Sequence, residues 1–449
     1  MDTKLLQYLQ SRVPRYTSYP TAVQFIAAVN ATSYREWLAA LSPAEPLSVY
    51  LHVPFCAELC LYCGCHTTVV RRYDPVAEYV DLLEREIGLV DEQLTGRHRV
   101  THVHWGGGTP TMLSPADFER IMARLDEMAP LQAGCEVAIE IDPRTLKREF
   151  VTAMANAGVT RASLGVQDFE ERVQRAVGRI QSFERTAQVA DWLRSVGIEN
   201  INLDLMYGLP YQTAETVAAT VRRALELEPD RVALFGYAHV PWMKRHQKLL
   251  PQDALPGTID RLAQSRAAAQ VLLEAGYRPI GLDHFARRSD LMVRRQREGR
   301  LHRNFQGYTT DEAAALIGFG TSAIGALPQG YVQNAASTVD YRAAIGAGRL
   351  ATVRGWALTD EDRLRRDIIE RLMCDLEVDL ADVTGARACS ADDLSAELAN
   401  LEPMIAHGLI RRSGTTIAVP EHARPFVRNI CMAFDAYSAS AQNRYSRAM

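Results

Sequence analysis

The chain has 449 residues, of which 47% are hydrophobic and 23% are charged, and its formal net charge at pH 7 is −4. This composition is ordinary for a globular protein with a large core, and the negative balance argues against a nucleic-acid-binding protein. Charge, glycine or proline interrupts every long apolar stretch before the ~18 residues that a membrane span needs, and nothing near Met1 resembles a secretory signal. We therefore expect a cytoplasmic protein that contacts neither nucleic acid nor membrane.

Residues 1–35 carry only a weak pattern. Met1–Thr21 contain two prolines and three tyrosines with no clear periodicity, so we predict an irregular N-terminal arm lying on the body of the protein. The arm precedes a main domain that we place at residues 36–350 and a C-terminal domain that we place at residues 351–449.

From about Ser48, short β-type runs alternate with longer helical segments. Six strands are predicted, at Ser48–Phe55, Thr101–Gly106, Cys135–Ile141, Arg161–Gln167, Asn200–Tyr207 and Arg231–Val240. Helices are predicted at Pro75–Leu94, Pro115–Met128, Arg144–Ala157, Phe183–Ser195 and Glu215–Leu227. This alternation predicts parallel strands joined by right-handed crossovers. The expected fold class is α/β, a parallel (β/α)6-type partial TIM-like barrel followed by a mainly helical C-terminal domain.

Four of the eight cysteines lie together in the loop after the first predicted strand, at Cys56, Cys60, Cys63 and Cys65. Thiolates this close repel one another unless a soft cation compensates their charge, which favours a metal centre. A C-x3-C-x2-C spacing lets three sulfurs hold three corners of a cubane iron–sulfur cluster and leaves the fourth iron open. A structural zinc loop stays possible, although zinc usually takes its ligands as two separated pairs. A disulfide staple or ordinary buried thiols would also account for cysteines in this loop.

Polar and glycine residues follow the other predicted strands in the same way. Gly106–Thr109 follow the second strand, where glycine leaves room for a ligand to approach the backbone. Further candidates stand at or near the ends of strands three to six, at Glu140, Asp142, Gln167, Asp204 and Ala238–Pro241. The carboxyl ends of barrel strands meet on one face, where active sites form. The sequence therefore predicts one composite site on that face.

The chain changes character beyond about Gly355. Helices are predicted at Leu358–Glu370, Asp392–His407 and Arg424–Ala436, and residues 408–419 have the pattern of a small hairpin. Helices followed by a hairpin resemble a winged-helix unit, which in other proteins binds DNA. Because the chain is acidic overall, we favour a lid or substrate-binding domain over a DNA-binding one.

The cysteine loop resembles the cluster-binding motif of the radical S-adenosylmethionine enzymes. More narrowly, the whole chain resembles the oxygen-independent coproporphyrinogen III oxidases. The stretches that carry this resemblance, beside the CGC at Cys63–Cys65, are Pro14–Ala22, His102–Thr111, His302–Thr310 and Arg428–Met432. The three-cysteine motif identifies only the superfamily, whereas the fourth cysteine, the N-terminal segment and Asn304–Thr310 are far more selective.

The resemblance implies a [4Fe-4S] cluster held by Cys56, Cys60 and Cys63, and two molecules of S-adenosylmethionine. Contacts to the first fall on Tyr50, Gly107, Glu140 and Ile324. Contacts to the second fall on Tyr62, Gly108, Thr109, Gln167, Arg179, Asp204 and Ala238. From the residues alone, core packing is the favoured explanation of Tyr50, Ile324 and Ala238, and a helix N-cap or a salt bridge near the strand end would explain Glu140 and Asp204.

Cys65 and Tyr62 are the catalytic candidates. Cys65 would donate or relay hydrogen or line the second cofactor, although a spare thiol without a role is the simpler reading. The aromatic face of Tyr62 would pack on the second S-adenosylmethionine. His52, four residues before Cys56, would shield the cluster or bond a sulfur, and a buried core histidine explains it equally well.

The activity implied by the resemblance is oxidative decarboxylation of two propionates of coproporphyrinogen III to vinyl groups, giving protoporphyrinogen IX. It needs an electron donor for the cluster and an electron acceptor, and we expect a monomer. Arg179 and the basic segment Lys244–Lys248 are candidates for contacts to the propionates. A haem-binding trafficking protein on the same scaffold is the alternative function, and such relatives typically lack the fourth cysteine and the Pro14–Ala22 arm.

Overall fold

A computed structural model describes residues 3–387, 394–438 and 445–449. Its strands are β1 (Leu47–Val53), β2 (Phe55–Cys56), β3 (Thr68–Val69), β4 (Val100–Gly107), β5 (Leu131–Ile141), β6 (Arg161–Gln167), β7 (Asn200–Tyr207), β8 (Arg231–Gly236), β9 (Arg278–Ile280), β10 (His284–Ala286), β11 (His302–Asn304), β12 (Gly307–Thr309), β13 (Ala315–Phe319), β14 (Ile324–Leu327), β15 (Gly330–Asn334), β16 (Thr352–Ala357), β17 (Glu377–Asp379), β18 (Arg411–Ser413) and β19 (Thr416–Ala418). Its α-helices are α1 (Thr3–Gln10), α2 (Ala31–Ala39), α3 (Asp74–Asp91), α4 (Pro115–Met128), α5 (Arg148–Asn156), α6 (Glu171–Val177), α7 (Phe183–Arg194), α8 (Ala214–Leu225), α9 (Thr258–Glu274), α10 (Leu291–Arg297), α11 (Thr338–Gly346), α12 (Asp360–Asp375), α13 (Leu380–Gly385), α14 (Ser395–Ala406) and α15 (Val427–Cys431).

One mixed sheet organises the main domain, with strand order β16-β15-β14-β13-β1-β4-β5-β6-β7-β8-β10-β9. The run from β13 to β8 is parallel, and antiparallel strands extend it at both ends. All six predicted strands are present as β1, β4, β5, β6, β7 and β8, which confirms the parallel partial barrel. The sixth strand ends at Gly236, earlier than predicted, so Ala238 lies in the following loop.

The sequence did not predict β13, the parallel neighbour of β1. Each of its five residues is buried, so the strand lacks the alternation of apolar and polar residues that marks a half-exposed strand. The sheet also continues past residue 350, because β16 pairs with β15 in antiparallel register up to Ala357.

Helices cover the sheet and complete the main core. The five helices predicted between the strands are confirmed, with small shifts of their ends, as α3, α4, α5, α7 and α8. Trp105 on β4 and Phe118 on α4 are fully buried against each other, with ring centroids 5.0 Å apart. No helix in the described ranges is long and apolar enough to span a bilayer.

A second core joins the two ends of the chain. Leu9 on α1 and Tyr16 and Tyr19 of the arm pack with buried residues of α12 and α15. The prediction of an irregular arm is therefore wrong in part. Thr3–Gln10 forms a helix that buries Leu9 against the C-terminal region. Tyr16 fixes the arm further by donating a hydrogen bond to Asp435 at 3.0 Å.

The C-terminal elements agree with the predicted helices and hairpin. α12 begins after the N-cap Thr359, and β18 and β19 form the hairpin, to which β17 adds a third strand. The predicted helix Asp392–His407 appears as α14, and residues 392–393 of that prediction lie outside the described residues. The predicted helix Arg424–Ala436 is shorter, with α15 flanked by 3-10 turns.

Candidate active site

The cysteine loop follows the carboxyl end of β1, and backbone pairing joins its first residues to its last. β2 and β3 pair in parallel, and the Val70 N–H donates to the Cys56 carbonyl oxygen at 3.1 Å. Within the loop the Cys63 N–H donates to the Cys60 carbonyl oxygen at 3.0 Å, which forms a tight turn between two of the predicted ligands. The backbone thus holds the three cysteines of the motif in one compact segment.

Two arginines donate hydrogen bonds to the sulfur of Cys60. Arg179 Nη1 lies 3.5 Å from this Sγ and Arg144 Nη2 lies 3.6 Å from it. Both guanidinium groups also bind Asp142, Arg144 at 2.7 Å and Arg179 through two N–H groups at 3.2 Å. Although burial alone would raise the pKa of Asp142, the two arginines lower it. The arrangement suits a thiolate at Cys60.

The cysteines at either end of the motif have different surroundings. Burial raises the pKa of Cys56 to about 11, partly offset by the Thr109 hydroxyl, which donates to its sulfur at 3.6 Å. The pKa of Cys63 is lowered to about 6, first by a hydrogen bond from the Cys65 thiol and also by the Cys65 N–H, 3.4 Å from its sulfur. Cys65 therefore supports a neighbouring sulfur, a role that the sequence did not suggest.

The glycines after β4 make room beside the cysteine loop. Gly107 has φ of 111°, and a Cβ there would lie 2.7 Å from the His52 ring. A Cβ on Gly108 would lie 2.6 Å from the Phe55 carbonyl oxygen and 3.0 Å from the Cys56 sulfur. Any larger residue would displace the loop, so the cradle depends on glycine at both positions.

A hydrogen-bonded chain lines the wall next to this cradle. His52 Nε2 lies 3.0 Å from the carbonyl oxygen of His66, so it carries the proton, and Nδ1 accepts from the Tyr50 hydroxyl at 3.0 Å. Burial lowers the pKa of His52, which keeps the ring neutral. In the described structure His52 bonds this carbonyl and Tyr50, and its ring packs against Gly107.

Glu140 is held in the same wall. Its carboxylate accepts from His104 Nε2 and from the Gly107 N–H, each at 3.2 Å. Burial opposes ionisation, but these two donors lower the pKa of Glu140 overall. A carboxylate is thereby presented next to the glycine cradle, as expected for a group that binds an ammonium.

The barrel interior brings together Glu140 and Asp204, which line a cavity of about 170 Å³. Asp204 accepts from Ser163 at 3.0 Å and Asn202 at 2.8 Å, and burial, with the charge of Glu140, raises the pKa of Asp204 to about 6. Gln167 ends β6 in the left-handed region with φ of 69°, at a bulge in the pairing with β7.

The remaining predicted contacts are more dispersed. Ile324 begins β14, on the far side of β13 from the cysteine loop's strand. Ala238 lines a separate cavity of about 610 Å³. Gln247 links Ala238 to the cysteine loop, since its side-chain amide donates to the carbonyl oxygens of Tyr62 at 3.0 Å and Ala238 at 3.2 Å.

The basic segment Lys244–Lys248 lies on the cysteine loop. Lys244 Nζ donates to the Cys65 carbonyl oxygen at 2.7 Å, and His246 Nε2 to the Cys63 carbonyl oxygen at 2.8 Å. Lys244 and His246 thus hold the cysteine loop in place. The Arg179 fork is likewise engaged by Asp142. Sequence reasoning gave no role to Arg144, and its only signal was its place two residues after Asp142 at the end of β5.

Comparison with known proteins covers the whole chain. Residues 50–224 match the family model described as the radical SAM superfamily, and residues 358–426 match the HemN C-terminal domain. The oxygen-independent coproporphyrinogen III oxidase of Bradyrhizobium diazoefficiens is 50% identical over 444 residues, 99% of each chain. That of Escherichia coli is 40% identical over 437 residues, 97% of this chain and 95% of its own.

A solved structure of the Escherichia coli enzyme, described as a radical SAM enzyme, matches with a TM-score of 0.91 and 38% identity, over 97% of this chain and 99% of that one. The fold and the cysteine loop define a radical S-adenosylmethionine enzyme. Within that class, the chain belongs to the oxygen-independent coproporphyrinogen III oxidases. The comparisons support this family and not a haem-binding trafficking protein.

The family implies a [4Fe-4S] cluster and S-adenosylmethionine, and the residues present fit both groups. Cationic donors converge on the sulfur of Cys60, as expected for a thiolate ligand. Beside Cys56, the absence of a side chain at Gly108 lets the backbone after β4 pack directly against the cysteine loop, since a Cβ there would lie 3.0 Å from the Cys56 sulfur. The donor set and the cradle therefore match the cofactors that the family uses.

Proposed function

We propose that this protein converts coproporphyrinogen III to protoporphyrinogen IX without oxygen. A hydrogen atom is removed from the β-carbon of a propionate, carbon dioxide leaves, and the remaining electron passes to an acceptor as the vinyl group forms. Two propionates react in this way. The observation that carries the proposal is the cysteine loop beside the glycine cradle, on a chain that matches members of this family along its entire length.

We propose that Cys56, Cys60 and Cys63 hold the cluster. When bound, the cluster supplies the electron that cleaves S-adenosylmethionine to a deoxyadenosyl radical. Arg144 and Arg179 donate to the sulfur of Cys60, and with the cluster bound these donors would stabilise the negative charge that reduction adds. The buried position of Cys60 keeps water from that side of the loop.

A first S-adenosylmethionine would contact Tyr50, Gly107, Glu140 and Ile324. Glu140 supports this proposal, since its carboxylate is ionised and lies beside the glycine cradle, where it can accept hydrogen bonds from an ammonium group. Tyr50 and His52 form the adjoining wall and orient each other through one hydrogen bond.

A second S-adenosylmethionine is also part of the proposal. Its contacts would be Tyr62, Gly108, Thr109, Gln167, Arg179, Asp204 and Ala238. Asp204 supports it, because a buried carboxyl group in the barrel interior can bind hydroxyl groups. Arg179 supports the second site less directly. Its guanidinium group binds Asp142 through two N–H groups, and it would have to leave Asp142 to bind a ligand.

Tyr62 and Cys65 remain the proposed catalytic residues. Tyr62 stands between two proposed ligands, and its pKa is raised far above the usual range by burial, so it acts as a neutral phenol. The Cys65 thiol has a raised pKa because it hydrogen-bonds the Cys63 sulfur, and a neutral S–H is the form that can give up hydrogen.

We further propose that residues 36–350 form the catalytic domain, with residues 1–35 as the arm and residues 351–449 as a substrate-binding lid. The second core supports this, because it joins the arm to the C-terminal elements. An unidentified donor and acceptor would exchange electrons with the enzyme. Action as a monomer in the cytoplasm remains a prediction.

The experiment is anaerobic reconstitution of the full chain, followed by reaction with coproporphyrinogen III, S-adenosylmethionine, a reductant for the cluster and an added one-electron acceptor. We expect loss of two carboxyl groups per tetrapyrrole, detected by chromatography after oxidation to porphyrins. Omission of S-adenosylmethionine or of the reductant should abolish the product. Cleavage of S-adenosylmethionine with no loss of carboxyl groups would overturn the proposed substrate.

A further inference from the structure

The cavity of about 610 Å³ is lined by arginines from distant parts of the chain. Arg15 comes from the arm, Arg261 from α9, Arg303 from β11 and Arg428 from α15. Its floor includes the ends of β7 and β8, at Tyr207 and Gly236–Ala238, which is the edge of the sheet that carries the cysteine loop. The cavity therefore reaches the edge of the sheet at which the reaction is proposed.

Within the described residues, these guanidinium groups donate hydrogen bonds only to backbone carbonyl oxygens. Arg15 donates to Gly236 at 3.2 Å, Arg303 to the carbonyl of Arg15 at 3.5 Å, and Arg428 to Ala448. Arg261 donates to the carbonyl oxygen of Tyr237 at 2.7 Å. Across the described ranges, no ion pair to a carboxylate involves any of the four.

Several of their donors are buried and unpaired. In the part of the chain that the structure describes, Nε of Arg261, Nε of Arg428, and Nε and Nη1 of Arg303 have no hydrogen-bond partner. Arg428 is only 8% exposed, so water contributes little to satisfying it. Burying a cation without a partner is costly, which indicates that an anion completes this site when the protein works.

The charges in the cavity also act on one another. Burial and then the neighbouring charge of Arg15 lower the pKa of Arg428 to about 10. Among the lining residues, Asp283 is ionised, with a pKa lowered to about 2 by His284 and by the nearby arginines against the effect of burial. Asp283 and Glu421 are the two carboxylate side chains among the lining residues, against eight arginines, so the cavity retains an excess of positive charge.

The volume and lining select the class of anion. A cavity of about 610 Å³ takes a compact ligand rather than a polymer, and drug-sized ligands occupy sites of ~300–1,000 Å³. Leu234, Phe285 and Trp242 add apolar surface to the same lining. An amphipathic molecule with several carboxylates around an apolar body matches this pattern, and guanidinium groups are the side chains best suited to bind carboxylates.

We propose that this cavity holds the tetrapyrrole substrate by its propionates, with Arg15, Arg303 and Arg428 as the carboxylate anchors. The inference rests on the proposed function, since it assigns the substrate's binding site. It replaces the basic segment Lys244–Lys248 as the propionate site, because Lys244 is used by the cysteine loop. The arm then has a direct role, which is to bring Arg15 to the substrate.

The test measures binding apart from turnover. The full-length protein with reconstituted cluster is titrated anaerobically, without S-adenosylmethionine, with coproporphyrin III, which has four carboxylates, and with mesoporphyrin IX, which has two. Porphyrin fluorescence gives each Kd. We expect wild type to prefer the tetracarboxylate. Arg15→Met and Arg428→Met should each raise the Kd for coproporphyrin III about tenfold or more. The difference between the Kd values for coproporphyrin III and mesoporphyrin IX should become smaller.

Control variants separate charge from structure. Arg349→Met removes an exposed arginine after α11 and should bind both porphyrins like wild type. Arg303→Lys keeps the charge and should bind the tetracarboxylate more tightly than Arg303→Met. Arg15→Met removes one side-chain hydrogen bond to a carbonyl oxygen, so we expect this variant to fold. It therefore tests the proposal even if Arg428→Met does not fold.

Each result bears on one claim. Wild-type affinity for both porphyrins in the Arg15, Arg303 and Arg428 variants would overturn the assignment of the cavity, and a wild-type enzyme that still forms vinyl groups would leave the proposed function intact. Tight, arginine-dependent binding of the tetracarboxylate without any vinyl product would support the cavity and contradict the proposed function.

Discussion

Two groups of arginines differ in how the protein balances their charge. Arg144 and Arg179 share the carboxylate of Asp142 and direct further donors at the sulfur of Cys60. Arg15 and Arg428 meet only carbonyl oxygens in the described structure. The first group is neutralised within the protein and can serve a fixed structural task. The second is left for a ligand to neutralise.

The largest effect should come from replacing the cysteines, because Arg144 and Arg179 direct their donors at a cysteine sulfur. Cys56→Ser, Cys60→Ser and Cys63→Ser should each abolish assembly of the cluster, since three thiolates hold it. Cys65→Ser should keep the cluster and lose vinyl formation. Iron and sulfide content after anaerobic reconstitution measures assembly. Loss of the cluster in Cys65→Ser, or its survival in the other three, would contradict the assignment.

Asp142→Asn sharpens the comparison by removing the shared carboxylate. Arg179 would then lack a carboxylate partner and Arg144 would keep only the exposed Glu58, so we expect the free energy of unfolding of the cluster-free protein to fall by about 3 kcal/mol. Glu78→Gln breaks the exposed pair with Arg342 and should cost less than ~1 kcal/mol. Urea denaturation measures both. Equal effects would mean that burial does not distinguish the two pairs.

Glu86 contrasts with Asp142, because the donors that bind this buried carboxyl group in the described structure are all uncharged. Tyr341, Asn334 and the Gly320 N–H bind it, and burial raises the pKa of Glu86 to about 7. The folded protein then binds more protons than the unfolded chain between about pH 4.5 and pH 7, so this group's contribution to stability falls as the pH rises through that window.

The stability of wild type relative to Glu86→Gln should therefore decrease by up to about 3 kcal/mol from pH 4.5 to pH 7.5. The hydrogen-bond change in the variant adds an offset that does not depend on pH. Urea denaturation of both proteins across this range checks the slope. A constant difference, or one that grows in favour of wild type, would show that Glu86 is ionised in the fold as readily as in the unfolded chain.

Arg144→Met should have the smallest effect, a shift of the cluster's reduction potential to a more negative value. One cationic donor to the Cys60 sulfur is lost, so the added electron is stabilised less, while Arg179 remains. A redox titration followed by EPR measures the potential. Arg124→Met, on α4 and paired with Asp91, is the control and should leave it unchanged. An unchanged potential in both variants would mean that Arg144 serves stability alone.

The local pattern of the sequence was sufficient for much of the fold. The strands β1 and β4 to β8 alternate regularly with helices, and the cysteines stand close together in one loop whatever the rest of the chain does. β13 was missed because every one of its residues is buried. α1 was missed because a single short helix shows its buried face only once Leu9 meets the C-terminal core.

The electrostatic features of the site could not be predicted in the same way. Arg144 stands two residues after Asp142, whose carboxylate it shares, but nothing in the local sequence around Arg303 shows that it has unpaired donors in the described structure. The residues around Arg15 and Arg428 are more than four hundred positions apart along the chain and meet only through the second core. Such groups depend on long-range packing, which a single sequence does not encode in a readable pattern.

The central claim is that a radical formed at the cysteine loop removes hydrogen from the propionate β-carbon. The most direct test is an anaerobic reaction with coproporphyrinogen III deuterated at its propionate β-carbons. We predict deuterium in the 5′-deoxyadenosine, together with vinyl product and carbon dioxide. Vinyl product accompanied by unlabelled 5′-deoxyadenosine would contradict the account, because the hydrogen would then have left by another route.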